Sequence, residues 1–152
     1  MAASQDADAL LDAVESAVDE AIQYFQGPGA TSRAIIDQWG PREVLCHFLF
    51  WHEVTIEGMQ SVAHGGDPLR LQAAADELNA EAIARHRGMG LLDLTARLRV
   101  LQEELRWVVH SLPNMDVPVM IRVDGTPLSG RQRLEAIGRH WAQHMVELKS
   151  AE

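Results

Sequence analysis

Arg139-His140-Trp141-Ala142-Gln143-His144 places two imidazoles four residues apart near the C-terminal end of the chain. On a helix, residues at that spacing stand one turn above each other, with Cβ atoms roughly 5–6 Å apart. Such a pair can converge on one cation through metal–nitrogen bonds of about 2.0–2.1 Å. Two ligands do not complete a site. A candidate third lies in Val44-Leu45-Cys46-His47-Phe48-Leu49-Phe50-Trp51, where His47 interrupts an apolar run. A buried imidazole needs partners for its ring nitrogens. Three protein ligands with one position left for water is the pattern of catalytic zinc, whereas structural zinc has four. His52 rivals His47, because by helical-wheel angle it falls nearer the middle of the same apolar face. Periodicity leaves that choice open. A His140–His144 pair that only packs and hydrogen-bonds fits the spacing as well as a metal pair does.

The neighbours of these histidines are weighed in the same way. Glu43, one turn before His47, and Gln143, beside His144, could orient an imidazole or polarise water, although a solvated position is the simpler reading of both. Trp51 and Trp141 could wall a pocket, yet core packing accounts for them at helical spacing. Of the seven histidines, His64, His86 and His110 are expected at helix ends as solvated residues, where the helix dipole favours them. A di-iron centre would need Glu-x-x-His pairs, and neither His-bearing helix has one.

The elements that must position these groups read as helices. Leu10, Leu11, Val14, Ala17, Val18, Ala21, Ile22 and Phe25 recur at three- and four-residue intervals, predicting a first helix from residue 4 to about 26. Ser4, Asp6 and Asp8 suit its start, and Gly27-Pro28-Gly29 stops it. The Ala30–Gly40 stretch reads as a connector with a short helical turn ending at Trp39. Pro41 suits a first helical position, and a second helix runs to about Ala63, apolar nearly all round in its first half and therefore deep in a bundle. A shorter helical piece is expected over Leu69–Arg87. A third long helix follows over about Leu91–Leu112, and a fourth from Leu128–Ser129 to about Lys149. Between them, Pro113–Pro127 reads as a long loop with one strand-like run, Val119–Val123, that has no obvious partner; it could cap a site or join a dimer contact. The prediction is all-α: four long amphipathic helices in a bundle, with an extra short helical segment between the second and third.

Composition narrows the partners. The 152 residues suit one domain over 1–152, and 47% hydrophobic with 23% charged residues is an ordinary soluble balance. A formal charge of −9 opposes nucleic-acid binding, which needs clustered Lys and Arg. The longest apolar run is far short of a membrane span. No basic region followed by an apolar core marks a signal peptide, so a cytoplasmic location is expected by elimination. The lone Cys46 excludes an intrachain disulfide and reads as a small buried hydrophobe.

Three places in the chain resemble the DinB/YfiT-like superfamily of bacterial four-helix-bundle proteins, across roughly residues 10–148. Trp39-Gly40-Pro41-Arg42-Glu43-Val44-Leu45-Cys46-His47 is similar to that family's entry into its second helix. Leu78-Asn79-Ala80-Glu81-Ala82-Ile83 resembles an Asn-containing helical piece of one branch, and His140-Trp141-Ala142-Gln143-His144 resembles the H-x-x-x-H of the last helix. The resemblance implies an up-down-down-up bundle, frequent homodimers, and a divalent cation, zinc or nickel, on His47, His140 and His144. It favours His47 over His52. It also implies a metal-dependent enzyme acting on a small molecule, a hydrolase or a transferase using a low-molecular-weight thiol. The alternative is a non-catalytic dimeric bundle that binds a small ligand, or serves in stress, without metal.

Overall fold

The computed structural model describes residues 2–36 and 38–151. It is mostly helical, with α1 (Ala2–Gln26), α2 (Pro41–Ala63), α3 (Ala75–Arg85), α4 (Leu91–Ser111) and α5 (Gly130–Ser150). Three short strands accompany them: β1 (Leu69–Arg70), β2 (Pro118–Ile121) and β3 (Pro127–Ser129). No helix among the described residues is long and apolar enough to cross a membrane.

Local chemistry sets the helix ends. Pro41 opens α2 without a wasted donor, and Glu43 Oε1 accepts from Gly40 N–H at 3.1 Å, closing the first turn. At α5, Ser129 Oγ accepts from Gln132 N–H at 3.1 Å while Gln132 Oε1 accepts from Ser129 N–H at 2.8 Å. This reciprocal pair satisfies two orphan donors of the helix start. The first helix begins before the expected Ser4, whose side chain lies outside the described residues. Asp6, in its second turn, bonds Arg131 instead of capping.

The ion pairs record how the long helices run. Arg131 at the start of α5 meets Asp6, and Lys149 near its end meets Glu20 at 2.6 Å, so α1 and α5 are parallel. His110 at the end of α4 meets Asp8 at 3.1 Å, and Arg106 meets Glu15, so α1 and α4 are antiparallel. His47 and His144 adjoin at one end of the α2–α5 contact, Thr55 and Arg133 at the other, which makes that pair antiparallel. Helix α2 lies at the centre as its composition requires. Val44 through Phe50 are all buried, and α2 packs on α3, α4, α5 and β2. Phe48 stacks on Trp141 with ring centres 3.6 Å apart, joining α2 to α5.

Three expectations need correction. Residues 69–74 are not helical: Leu69 and Arg70 pair in parallel with Met120 and Ile121. The segment 113–127 is not a structureless loop either, because its strand has a partner on both sides, in the sheet order β1-β2-β3. β2 and β3 form an antiparallel hairpin closed at Asp124-Gly125, with Gly125 at φ +90°. Non-local pairing of this kind leaves no periodic trace in so short a strand. The Ile36–Trp39 stretch is a mutual backbone bridge, not a helical turn; Asp37, inside that stretch, lies outside the described residues.

The sheet lies on α2 at Gly58, where a Cβ would meet the Val119 carbonyl oxygen at 2.2 Å. In an open helix Gly→Ala stabilises by about 1 kcal/mol. Here Gly58→Ala is expected to destabilise by about 1–3 kcal/mol, because backbone must move to admit the methyl group. Urea denaturation checks this, and a Gly58→Ala protein at least as stable as the parent contradicts the close approach.

Candidate metal centre

Helix α2 carries His47 inward, with the residue only 7% exposed. One turn further, Trp51 lies on the same face, so both side chains reach one acceptor on α3. Asn79 Oδ1 accepts from Trp51 Nε1–H at 2.8 Å and pairs with His47 Nδ1 at 2.7 Å. An indole nitrogen only donates, so the Asn79 atom facing Trp51 must be its oxygen. That oxygen cannot donate to His47, and Nδ1 therefore carries the proton. The lone pair is left on Nε2, which has no hydrogen-bond partner among the described residues. Burial holds the ring neutral by lowering its pKa to about 4, against the pull of the Asn79 bond.

Helix α5 brings His140 and His144 to the same place. The ring centres of His47, His140 and His144 form a triangle with sides of 6.4, 5.6 and 6.3 Å. Three imidazoles on one ion, at bonds of about 2.0–2.1 Å, have ring centres about 5 Å apart. The rings thus stand about 1 Å wider than ligation demands, and as placed no three His, Cys, Asp or Glu side chains among the described residues are close enough to hold an ion. His144 Nδ1 is buried and unbonded; Glu147 Oε2 lies 3.4 Å away, near enough for an ion pair but not aligned as a hydrogen bond. His140 is the exposed member and makes no hydrogen bond among the described residues. Partial burial lowers its pKa, with further contributions from His144, Arg133 and Arg139. Uncharged imidazoles are the form that ligates a cation.

His52 belongs elsewhere. It is fully buried and turned toward α4, with Nδ1 at 3.2 Å from the Phe48 carbonyl and Nε2 at 3.3 Å from Gln102. Burial pushes its pKa down to about 4, so only one ring nitrogen carries a proton. That proton is on Nδ1, donated to the Phe48 carbonyl, and Nε2 must accept. The amide of Gln102 therefore turns its nitrogen to the ring, which also satisfies the Gln102 Nε2 donor otherwise left buried without a partner. Both nitrogens of His52 are engaged, and it is no rival ligand.

The other candidates separate by contact. Glu43 caps α2 and does not touch an imidazole. Gln143 is exposed and donates to Glu147 at 2.9 Å. Trp141 is core, and Trp51 acts on the site through a hydrogen bond. His64 and His110 are exposed as expected, whereas His86 is buried, bonding the Ala82 carbonyl at 2.9 Å while its own carbonyl accepts from Arg42. Sequence reasoning missed Asn79 as a partner of His47. Its signal was an amide among the apolar positions Ala75, Leu78 and Ala82 of a polar helix. Trp39, with its ring centre 5.1 Å from that of His47, and the buried Arg133 gave no signal of a shared site.

Comparison with family models, curated proteins and solved structures yields no match for this chain.

Acid should act through the two suppressed histidines. From pH 6.5 down to about 4 an unfolded chain takes up protons that folded His47 and His52 refuse, so stability falls as pH falls, by on the order of 3 kcal/mol for each ring. Below about pH 4 this contribution levels off. NMR titration is expected to keep both rings in the neutral state until pH nears 4; a midpoint near 6.5 for either ring contradicts the burial argument.

Proposed function

We propose that this protein is a DinB/YfiT-like metalloenzyme acting on a small molecule, with a divalent cation, zinc or nickel, held by His47, His140 and His144. The observation that carries this reading is the tautomer of His47. A donor-only indole and a shared amide oxygen leave Nε2 with its lone pair, beside two further imidazoles. Metal-binding histidines are commonly oriented in this way by a partner on the other ring nitrogen. The running sense of the helices supports an up-down-down-up bundle in the same reading, with α3 and the small sheet inserted between its long members.

Bound there, a divalent cation supplies Lewis-acid activation of a water or a low-molecular-weight thiol, the chemistry of a hydrolase or thiol-dependent transferase. The chain's own groups do the rest. Asn79 and Trp51 hold His47 in one tautomer and one orientation. The Phe48–Trp141 stack and Trp39 keep the inner side dry, and Glu147 stands close enough to turn and accept a hydrogen bond from His144 Nδ1–H. His140, the exposed ligand, is free to close the last ångström.

A second reading, a small-ligand-binding bundle without metal, draws on the width of the histidine triangle. Elemental analysis and thermal denaturation of untagged protein separate the two. The enzyme reading expects one zinc or nickel per chain and a melting temperature raised by added metal, since a ligand of the folded state stabilises it. Both effects vanish in His47→Ala and His140→Ala, persist in His64→Ala, and weaken about 10- to 100-fold in affinity in Asn79→Ala. Protein that takes up no metal and melts unchanged in its presence leaves the metal-free reading standing.

A further inference from the structure

Arg133 on α5 is the one buried arginine among the described residues, at 8% exposed. Several surface arginines meet carboxylates: Arg131 with Asp6 and Asp116, Arg106 with Asp12 and Glu15, Arg97 with Glu53. Arg133, though buried, meets none among the described residues. Its Nε–H donates to Thr55 Oγ1 at 3.1 Å, and its guanidinium carbon lies 5.4 Å from the centre of the Trp51 ring. Nη1 and Nη2 have no acceptor among the described residues. Burial and the nearby Arg122 lower its pKa to about 10, which leaves it charged at neutral pH. A buried cation without a counter-ion is costly to the fold.

The cost has a counterpart in space. Arg133 lines a cavity of about 500 Å³, within the range of small-molecule sites, about 300–1,000 Å³. Trp51, Met120 and Leu128 give the cavity an apolar body, and Arg139 and His140 continue its wall. Arg122 stands on the same wall with Asp124, whose carboxylate is engaged by Thr126 N–H at 2.9 Å. The start of α3 also opens here through Ala74 and Ala75, and its N-cap offers no side-chain acceptor. Helix N-termini favour negative charge. In a chain of net charge −9, this hollow is locally cationic.

We propose that this cavity binds a small organic carboxylate, its carboxylate on the Nη groups of Arg133 and its other end at His140. The guanidinium fork matches a carboxylate bidentately, and the Thr55 bond and Trp51 ring fix the fork in advance. Arg133 and His140 are seven residues apart on one helix, a rise of about 10 Å, which sets the span of the molecule. The anion subsite stands on Arg133 without the metal reading; only a reaction at the other end, beside His140, would rest on the metal reading above.

Benzoate, benzamide and inorganic phosphate, titrated into the full-length protein after EDTA treatment and followed by NMR, test the proposal. Benzoate is expected to bind saturably and to shift the Arg133 Nε–H and the Ala74 and Ala75 amides. Benzamide and phosphate are expected to bind at least tenfold more weakly. Arg133→Met should lose at least tenfold in benzoate affinity while still taking up metal; His144→Ala, outside the cavity lining, should lose metal and keep benzoate binding within about threefold. Benzoate bound equally by parent and Arg133→Met, or phosphate bound as well as benzoate, overturns the proposal. So does benzoate that leaves the Arg133 Nε–H unmoved in the parent protein, a readout that holds even if Arg133→Met does not fold. Failure of benzoate with metal uptake intact removes the carboxylate subsite and leaves the metal centre; the reverse result removes the metal centre alone.

Discussion

Helix α2 is the central helix, buried throughout Val44–Phe50, and it carries three polar side chains inward; each must find a partner or cost the fold about 1–3 kcal/mol. Each neighbouring helix supplies one. Asn79 of α3 answers His47, Gln102 of α4 answers His52, and Arg133 of α5 answers Thr55. These three pairings set the rotation of α3, α4 and α5 about the central helix in a way that apolar contact alone does not, since leucines tolerate sliding and directed hydrogen bonds do not. The candidate metal centre and the cationic cavity are both consequences. One arises where the α3 partner fixes an imidazole, the other where the α5 partner keeps a charge with most of its donors unused.

The two regions share side chains. Trp51 donates to Asn79 on the histidine side and lies under the Arg133 guanidinium on the cavity side. His140 closes the histidine triangle and also forms part of the cavity wall. A molecule held by Arg133 would therefore meet the exposed ring of the triangle first. Phe48 lies against both of the remaining rings and Trp39 against His47, so His140 is the most exposed of the three. The small sheet contributes by filling: β2 lies against α2 at a glycine, close enough for Met120 to reach the cavity.

Much of this was legible in the residues because helices are local. The three-and-four spacing marks all four long helices to within a few residues, Pro41 and Ser129 mark two starts, and the His140–His144 interval needs only one turn of one helix to be read. The burial of Cys46 also follows from the run around it. The reading failed where hydrogen bonds join distant segments. Leu69–Arg70 pairs with residues some fifty positions later, and strands that short carry too few alternations to be recognised.

Residue types and intervals by themselves determined the helical architecture, the i,i+4 imidazole pair and the presence of a polar residue in the central helix. Periodicity left open which histidine of α2 joins that pair; the resemblance favoured His47, and the tertiary structure brings that ring to the pair. A wheel angle says how deep a side chain is turned but not which neighbour it is turned toward; His52 is the deeper of the two and faces Gln102, while His47 faces α5 and Asn79. The same holds for Arg133, one of thirteen basic residues scattered along the chain. Only packing against Thr55 and Trp51 made it a buried charge, because burial and the absence of a counter-ion are properties of the assembled neighbours and not of the residue.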